Sequence, residues 1–287
     1  MVGEQNTAVL LLSCPERKGL VPAISDFLFR HGGDIAHADQ HQDQDHGMFL
    51  MRVEWALKDF DLTPDQFPAE FGPLAVRLQM NWRVEYSEIP SRVALFVSRE
   101  DHCLADLLHR WKLGELRCEI MMIVSNHEDT RPLATFYGVP FRYVPVNTAE
   151  KSGGERTQLQ LLEESHIDLL ILARYMQILS SEFVARYPNR IINVHHSFLP
   201  AFIGPRPYYA AYERGVKLIG ATSHYVTADL DKGPIIEQDV TRVSHRYELS
   251  DLKEKGRDVE RMVLSRAVRW HLEHRILVYG NKTVVFV

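Results

Sequence analysis

The amino-terminal part of the chain alternates short apolar runs with an apolar stripe of helical spacing. The continuous apolar run at residues 8–12 predicts a buried strand, and the apolar positions between Leu20 and Arg30 recur with the period of a helix. Two further strands are predicted over Asp34–Gln44 and Met48–Trp55, because the segment between them ends in Gly47 and favours a hairpin turn. The chain therefore begins with a strand, a helix and a β-hairpin.

A second amphipathic segment completes this part of the chain. Thr63 followed by Pro64 predicts an N-cap and a proline at the first helical position, and apolar positions from Phe67 to Leu78 continue the helix. A last short strand is predicted over Trp82–Tyr86. The order strand, helix, strand, strand, helix, strand predicts a ferredoxin-like βαββαβ domain over residues 1–87.

After a polar joint at Ser87–Ser91, apolar strands alternate with helical segments. The uninterrupted apolar run Leu169–Leu172 is typical of a parallel sheet that is covered on both faces. We therefore expect residues 88–287 to form an open, mostly parallel α/β sheet that binds ligands at the carboxyl ends of its strands. The predicted elements are strands at Arg92–Val97, Glu119–Val124, Phe141–Val146, Asp168–Leu172 and Ile191–His195, an antiparallel pair at Lys217–Thr227 and Pro234–Val243, and a long terminal helix at Leu252–Ile276.

Composition excludes several classes of function. A length of 287 residues favours two domains. The net charge of −5 provides no basic field that would hold nucleic acid or an anionic membrane. No segment approaches the ~18 consecutive apolar residues of a membrane helix, and three scattered cysteines favour a reducing compartment. We expect a cytoplasmic protein with no nucleic-acid or membrane partner.

Three polar side chains follow apolar strands in the second part of the chain. Asn193 and His195 are two residues apart on a predicted strand, so their side chains share one face. Asp231 precedes Gly233, which permits a tight turn. An amide that donates to an oxyanion, an imidazole that moves a proton and a carboxylate that orients water suit attack on a carbonyl. By residue types alone, a structural role as hydrogen-bonded groups at a sheet edge is the more common one.

The sequence around these residues resembles the tetrahydrofolate-dependent formyltransferase family. The similarity is carried by three segments, Asn193–Pro200, His224–Val226 and Asp229–Ile236. It implies that Asn193, His195 and Asp231 are the catalytic residues. It also implies that His224 is a supporting residue, which holds the carboxylate or a water molecule.

A fourth segment, Leu172–Ser180, resembles the loop with which this family holds the pteridine and formyl group of folate. The resemblance implies folate contacts from this loop and from the segment that follows His224. It implies no cofactor beyond the folate substrate and no metal ion. The expected folate-binding residues are Tyr175, Met176, Gln177, Ile178, Leu179, Val226, Thr227 and Ala228.

Two differences from the sequences of the glycinamide ribonucleotide transformylases of this family narrow the expected activity. Their glycine-rich phosphate loop is replaced by a segment with Glu100 and Asp101, whose carboxylates would repel a phosphate. The proline that follows their catalytic histidine is replaced by His196. With the amino-terminal domain, these departures resemble the formyltetrahydrofolate deformylase family over nearly the full chain. The resemblance implies hydrolysis of 10-formyltetrahydrofolate to tetrahydrofolate and formate, which regulates the one-carbon pool and supplies formate for purine synthesis.

In that reaction Asp231 would activate water, while Asn193 and a protonated His195 would stabilise the oxyanion and assist release of the folate amine. His196 would exclude an amine acceptor or hold the water, or it would be a hydrogen-bonding loop residue. Two alternative functions stay open. One is formyl transfer to an amine acceptor, and the other is a non-catalytic amino-acid-binding regulator, against which the intact catalytic residues argue.

The amino-terminal domain resembles the ACT domains, which are small ligand-sensing modules. The similarity rests on the order of the strands and on the loop Pro15–Val21. It implies that Glu16, Arg17, Gly19 and Leu20 bind an amino-acid effector, with glycine and methionine as candidates. It also implies that these domains pair edge to edge in a homo-oligomer. A simple turn of the chain would explain the glycine equally well.

Fourteen histidines raise the question of a metal site. His37, Asp39 and His41 share one face of a predicted strand, yet a solvent-exposed polar face explains this pattern without an ion. His102 and Cys103 could form a nucleophile pair. The sequence offers them no third orienting group, so contact with substrate or a place at the start of a helix is the favoured interpretation.

Overall fold

The computed structural model describes residues 6–146, 151–201 and 207–287. The chain divides into two compact units, of which one comprises Met1–Pro90 with His274–Val287 and the other Ser91–Glu273. All the site residues expected from the sequence lie in the described ranges. Within those ranges, no helix combines the length and the apolar character that a membrane crossing requires.

The first unit is built on a four-stranded antiparallel sheet. Its elements are β1 (Thr7–Pro15), α1 (Leu20–Arg30), β2 (Asp34–Asp43), β3 (Met48–Ala56), α2 (Phe67–Leu78) and β4 (Asn81–Tyr86). The strands lie in the order β2-β3-β1-β4, and the βαββαβ arrangement predicted from the sequence is confirmed. Alternate residues of β1, among them Leu10 and Leu12, pack in one core with Ile24 of α1 and Phe71 of α2.

The second unit is an open, mostly parallel α/β sheet, as predicted. Its strands are β5 (Ser91–Val97), β6 (Cys118–Ser125), β7 (Phe141–Tyr143), β8 (Leu169–Leu172), β9 (Ile191–His195), β10 (Leu218–Tyr225) and β11 (Ile235–Arg242). Its helices are α3 (His102–Lys112), α4 (Arg131–Tyr137), α5 (Lys151–Glu164), α6 (Ser181–Arg186), α7 (Pro207–Arg214) and α8 (Leu249–Leu272). The strand order is β11-β10-β9-β8-β5-β6-β7, with β5 to β9 parallel and the last two antiparallel.

The position of β5 in this sheet locates the candidate site. β5 opens the unit in sequence, yet it lies between β6 and β8, so the chain leaves it on one side and later returns on the other. Ligands bind at the carboxyl edge of such a switch point, where neighbouring loops part. The segments that begin at Ser98, Ala173 and His196 all leave this edge. Polar residues in these segments are therefore brought into one region of the unit.

The carboxyl-terminal segment corrects the predicted domain boundary. The helix predicted over Leu252–Ile276 ends at Leu272, and a hairpin of β12 (Ile276–Tyr279) and β13 (Lys282–Val285) follows. Leu277 and Phe286 pack against Val9 and Leu11, which occupy the face of β1 opposite its helices. Assignment of residues 274–287 to the second domain is therefore wrong, because their apolar side chains complete the core of the first unit.

Candidate active site

Asn193 and His195 lie on β9 and project from the same face of the strand, as their spacing predicts. In the antiparallel pairing of β9 with β10, His224 stands directly opposite Asn193. The Asn193 amide nitrogen, Nδ2, is 3.3 Å from the His224 ring nitrogen Nε2. An amide nitrogen carries two hydrogens, so contact with His224 leaves one N–H for another acceptor. The sheet register therefore positions the amide of Asn193.

Asp231 reaches these residues from the loop between β10 and β11. Its backbone is left-handed, with φ of 54°, and the loop folds back closely over β10. A Cβ at Gly233 would lie 1.7 Å from the carbonyl oxygen of Tyr225, so only glycine fits there. The Asp231 oxygens lie 3.2 Å from His195 Nδ1 and 3.6 Å from His224 Nε2. The structure thus brings the three predicted catalytic residues and the predicted supporting histidine into one cluster.

The protonation of this cluster follows from its hydrogen bonds. Burial alone raises the pKa of Asp231, but the hydrogen bond with His195 and the nearby ring of His224 outweigh burial and hold that pKa below its usual range. The carboxyl group is therefore ionised at neutral pH. His224 donates through Nδ1 to the Tyr225 carbonyl at 2.9 Å, which directs its Nε2 towards Asn193 and Asp231.

His195 has unused hydrogen-bonding capacity. Its Nδ1 faces Asp231, while its Nε2 is buried and has no hydrogen-bond partner among the residues that the structure describes. A buried polar atom without a partner is rare and indicates a place for a ligand or water. Together with the second N–H of Asn193, the cluster presents two groups that can contact a polarised carbonyl oxygen or a leaving nitrogen. This arrangement is suited to acyl chemistry.

His196 lies beside this cluster and is 8% exposed. Its ring stacks on that of His195, with centroids 5.2 Å apart, and packs near the ring of Tyr208 at 5.9 Å. Burial, with the nearby charge of Arg174, lowers the pKa of His196 to about 4. The imidazole is therefore neutral at physiological pH. It lines a cavity of about 490 Å³ on the far side of the catalytic histidine.

The loop expected to bind folate follows β8 and divides into buried and exposed side chains. Tyr175 belongs to the core, where its hydroxyl oxygen accepts a hydrogen bond from Gln158 at 2.8 Å. Met176 and Ile178 are exposed by 51% and 58%. A small cavity is lined by Gln177, Ile178 and Leu179. The exposed apolar side chains are available to a ligand, whereas the buried Tyr175 holds the loop against the core of the unit.

The second expected folate segment follows β10 directly. The backbone N–H of Val226 donates to Ile191 at 2.9 Å, and its side chain packs against the core of the unit. Thr227 is half-buried and its hydroxyl donates to the carbonyl of Asp229 at 3.1 Å, while Ala228 is exposed. These three residues begin the loop between β10 and β11, which also carries Asp231.

The four expected effector residues lie together at the start of α1. Gly19 is left-handed at the helix N-cap, with φ of 88°. Glu16 and Arg17 are exposed, and the arginine donates to Gln79 at 2.7 Å. Leu20 is buried in the core of the unit. Three of the four residues are therefore accessible to a ligand, and the leucine holds the helix in place.

A second buried polar cluster was not found from the sequence. Glu260 of α8 is 1% exposed, and its two oxygens accept from Tyr208 at 2.6 Å and from His102 Nε2 at 2.8 Å. The Nε of Arg174 lies 3.5 Å from the same carboxylate. Glu260 interrupts the buried apolar stripe of α8. In the sequence, a charged residue within an apolar stripe is the signal that could have indicated this cluster. The partners of Glu260 could not be inferred from it, because they lie on distant elements.

This cluster does not support the nucleophile pair considered for His102 and Cys103. Burial, followed by the charge of Glu260, raises the pKa of the Cys103 thiol well above its usual value. Ligand atoms of His102, Cys103 and Glu260 lie within 4.8 Å of one another. Hydrogen bonds already occupy the Glu260 carboxylate, and the guanidinium of Arg174 lies against it, so the cluster is explained without an ion. His102 is the first residue of α3, as the helix-start interpretation predicted.

Comparison with known proteins agrees with this geometry. A family model described as formyl transferase matches residues 91–268. Curated formyltetrahydrofolate deformylases from Synechocystis sp. and Bacillus subtilis are 54% and 50% identical, over 98% and 99% of this chain and 98% and 95% of their own. The crystal structure of a formyltetrahydrofolate deformylase from Pseudomonas syringae pv. tomato is 47% identical, covers 100% of this chain and 96% of its own, and has a TM-score of 0.97.

A more distant structure separates the class from the particular family. A glycinamide ribonucleotide transformylase from Symbiobacterium toebii matches 69% of this chain at 27% identity and a TM-score of 0.66. The fold and the site thus define a formyltransferase-type domain, which both groups of enzymes share. The deformylases match nearly the whole chain, whereas the transformylase matches 69% of it. The chain therefore belongs to the formyltetrahydrofolate deformylase family.

Proposed function

We propose that this protein hydrolyses 10-formyltetrahydrofolate to tetrahydrofolate and formate. The observation that carries the proposal is the cluster of Asn193, His195 and Asp231, in a chain 54% identical to a curated deformylase over 98% of its length. In this cluster the buried Nε2 of His195 has no partner among the described residues, so the site holds a donor or acceptor ready for substrate.

Water attack is the first step of the proposed reaction. The ionised Asp231 accepts a hydrogen bond from a water molecule and takes one of its protons as the water oxygen bonds to the formyl carbon. The formyl oxygen becomes an oxyanion, which accepts hydrogen bonds from the second N–H of Asn193 and from His195 Nε2. Contact with His224 keeps the amide of Asn193 in the orientation that this step requires.

Collapse of the intermediate is the second step. The bond between the formyl carbon and N10 breaks, the folate nitrogen takes a proton from His195, and formate leaves. Asp231 then releases the proton that it took from water to solvent, and the Nε2 of His195 takes up a proton from solvent, because the Nδ1 that lies 3.2 Å from Asp231 already carries a hydrogen. Atoms balance as one formyl amide and one water giving one amine and formic acid, which ionises. These steps use folate and water and no further cofactor.

The folate substrate is proposed to lie on the loop after β8. Met176, Gln177, Ile178 and Leu179 offer apolar surface and backbone groups there, and Tyr175 holds the loop from the core. The segment Val226–Ala228 forms the opposing wall beside Asp231. A pteridine ring is flat and partly apolar, which suits a cleft of this kind. His196 separates the catalytic cluster from the adjoining cavity, where a neutral imidazole can hold the attacking water.

The first unit is proposed to sense an amino acid in the manner of an ACT domain. Support comes from its βαββαβ order and from the accessible Glu16, Arg17 and Gly19 beside α1. Glycine and methionine are the candidate effectors. The strands β2 and β4 are edges of the sheet, and an edge strand can pair with a second copy. A cytoplasmic homo-oligomer whose flux responds to one-carbon supply is the corresponding proposal.

A formate-release assay with no added acceptor tests the catalytic proposal. We expect rapid formate production by the wild-type protein and loss of about 10²–10³ in kcat for Asn193→Ala, because one oxyanion donor is removed. Asn189→Ala, at the turn before β9, is the matched control and keeps wild-type turnover. Formate that appears only when an amine is added would show transfer instead, and wild-type turnover by Asn193→Ala would refute the assigned role.

A further inference from the structure

A cavity of about 490 Å³ adjoins the catalytic cluster in the second unit. His196 lines it and stacks on His195, so a single ring separates the cavity from the reacting groups. Arg174, Tyr208 and Glu260 form another part of its wall. Four of the eight residues expected to hold folate, Tyr175, Gln177, Ile178 and Leu179, line a different, smaller cavity, and none of the eight lines this one. Space therefore exists beside the catalytic histidine that the proposed folate contacts do not use.

Hydrogen-bond donors exceed acceptors on this wall. The two oxygens of Glu260 already accept from Tyr208 at 2.6 Å and from His102 at 2.8 Å. Arg174 lies 3.5 Å from that carboxylate, but its Nε and Nη1 have no hydrogen-bond partner in the described part of the chain. The Nδ1 of His102 also has no such partner there. A buried guanidinium with unused donors is suited to a carboxylate, which can accept two parallel hydrogen bonds.

The backbone of Arg174 adds an independent observation. It lies in the left-handed region, with φ of 63°, which is unfavourable for a residue with a side chain. The conformation is held by a hydrogen bond from the backbone N–H of Ser98 to the Arg174 carbonyl, at 3.2 Å. The fold thus fixes a strained arginine next to the reaction site, and such strain is concentrated at positions that contact ligands.

The charges around the cavity favour a small monoanion. Arg174, Lys253 and Arg257 contribute three cations, and Glu100 and Glu260 contribute two carboxylates. These five side chains therefore have a net charge of one positive unit, which a ligand with one negative charge would neutralise. A multiply charged phosphate would carry more negative charge than the cavity balances, and the two carboxylates would repel it. A monocarboxylate carries one negative charge, which the net positive charge of the cavity matches.

We propose that Arg174 binds formate in this cavity after the carbon–nitrogen bond is broken. The proposal rests on the proposed hydrolysis, which makes formate beside His195. Formate is planar, and its two oxygens match the spacing of guanidinium N–H groups. The anion is formed next to the ionised Asp231, so a cation beyond His196 draws it away from the catalytic carboxylate. Arg174 then defines the path by which the one-carbon product leaves.

Direct binding of formate tests the proposal without turnover. Labelled formate is titrated into the full-length protein in the absence of folate, and line broadening of its carbon resonance reports the dissociation constant. We expect saturable binding to the wild type and about tenfold weaker binding to Arg174→Gln, because a charge-assisted bidentate contact is lost. Arg186→Gln is the matched control. This arginine is exposed on α6, where its side chain pairs with Glu163, so we expect formate binding to be unchanged.

Product inhibition provides the second measurement. The inhibition constant of formate in the deformylation assay is expected to rise about tenfold in Arg174→Gln, in parallel with the dissociation constant. Arg174→Lys retains the charge without the planar fork, and we expect an intermediate loss. This variant also decides the question if Arg174→Gln does not fold, as circular dichroism would show. Equal formate affinity in the wild type and in a folded Arg174 variant, or no saturable binding to the wild type, would overturn the proposal.

The two proposals fail in different ways. Formate release from 10-formyltetrahydrofolate without Arg174-dependent binding overturns the formate site and leaves hydrolysis intact. Binding of formate that depends on Arg174, with no formate released from the folate, supports the carboxylate site and overturns the hydrolytic reaction. The binding titration and the turnover assay therefore answer separate questions.

Discussion

Two carboxylates of the second unit, Asp231 and Glu260, differ in how fully their own oxygens are hydrogen-bonded. One oxygen of Asp231 lies 3.2 Å from His195 Nδ1, whereas the other is 3.6 Å from His224 Nε2, which is longer than a normal hydrogen bond. Around Glu260, both oxygens are occupied by His102 and Tyr208. Asp231 also sits on a left-handed loop, whereas Glu260 lies within a long helix. Unused hydrogen-bonding capacity on the carboxylate oxygens themselves, and not burial alone, separates a reactive carboxylate from a structural one.

The largest expected effect is at Asp231. Asp231→Asn keeps the shape of the side chain but removes the charge that orients water and accepts its proton. We expect kcat to fall by about 10³-fold. The measurement is formate release at saturating 10-formyltetrahydrofolate, with thermal unfolding as the check on folding. Asp229→Asn, exposed on the same loop, serves as the control and keeps its activity. A kcat for Asp231→Asn within tenfold of the wild type would remove the contrast between the two carboxylates.

Glu260 is expected to affect stability first. Glu260→Ala leaves His102, Tyr208 and Arg174 without their shared acceptor, and we expect the free energy of unfolding to fall by about 3–5 kcal/mol. Glu260→Gln keeps one acceptor oxygen and is expected to lose less. Denaturant unfolding followed by circular dichroism measures both changes, and Glu254→Ala on the exposed face of the same helix is the control. Lost turnover with unchanged stability would place Glu260 in the catalytic group instead.

His196 lies between the two carboxylates, and its pKa predicts a pH dependence of stability. The folded protein holds this pKa at about 4, below the value of 6.5 for a free histidine, so the unfolded chain binds a proton first as the pH falls. Its contribution to the free energy of unfolding is constant above pH 6.5 and decreases towards pH 4, by about 3 kcal/mol.

His196→Asn removes this contribution, and we expect a flatter dependence of the unfolding free energy on pH between 4 and 6.5. Unfolding at several pH values measures the slope. His274 of the first unit is a useful comparison, because burial, with the charges of Arg83 and Arg52, also lowers its pKa to about 4. His274→Asn is expected to flatten the same pH range. An unchanged slope in His196→Asn would mean that the imidazole is charged in the folded protein.

The smallest expected effect is at Cys103, which lies beside Glu260. Its thiol is buried, and the high pKa keeps it protonated, so it is no nucleophile. We expect Cys103→Ala to retain kcat within about twofold, as a residue in the packed core without a chemical role would. Turnover is compared with that of the wild type after treatment of both with a thiol reagent. Loss of formate release in a folded Cys103→Ala would restore the Cys–His pair as a candidate.

The sequence predicts most of the fold because local patterns decide it. The continuous apolar run in β8 indicated a covered parallel strand, and all four of its residues are buried. Helix α2 is bounded at Phe67 and not at Pro64, yet Thr63 and Gln66 exchange the two hydrogen bonds of a capping box, and the Phe67 N–H donates to the Thr63 carbonyl at 3.0 Å, so Thr63 caps the helix as predicted. The terminal hairpin was missed, because its apolar residues continue directly from the pattern of α8 and its core partners lie at the other end of the chain.

The candidate site was predictable to the extent that it is local. Asn193 and His195 are two residues apart on one strand, and this spacing alone places them on one face. Asp231 depended on the resemblance to a family, since nothing in its own segment shows that the loop folds back over β10. Glu260 and Arg174 could not be found in this way. Their pairing joins α8 to the loop after β8, and only the folded chain brings these segments together.

Burial of β1 from both sides has a consequence for the order of folding during synthesis. Val9 and Leu11 leave the ribosome before the whole second unit is made, whereas their partners Leu277 and Phe286 follow it. The nascent first unit can close its helical face early, while its second face stays uncovered until the second unit has been translated. Chaperones that recognise exposed apolar strands would therefore have their longest opportunity on this sheet.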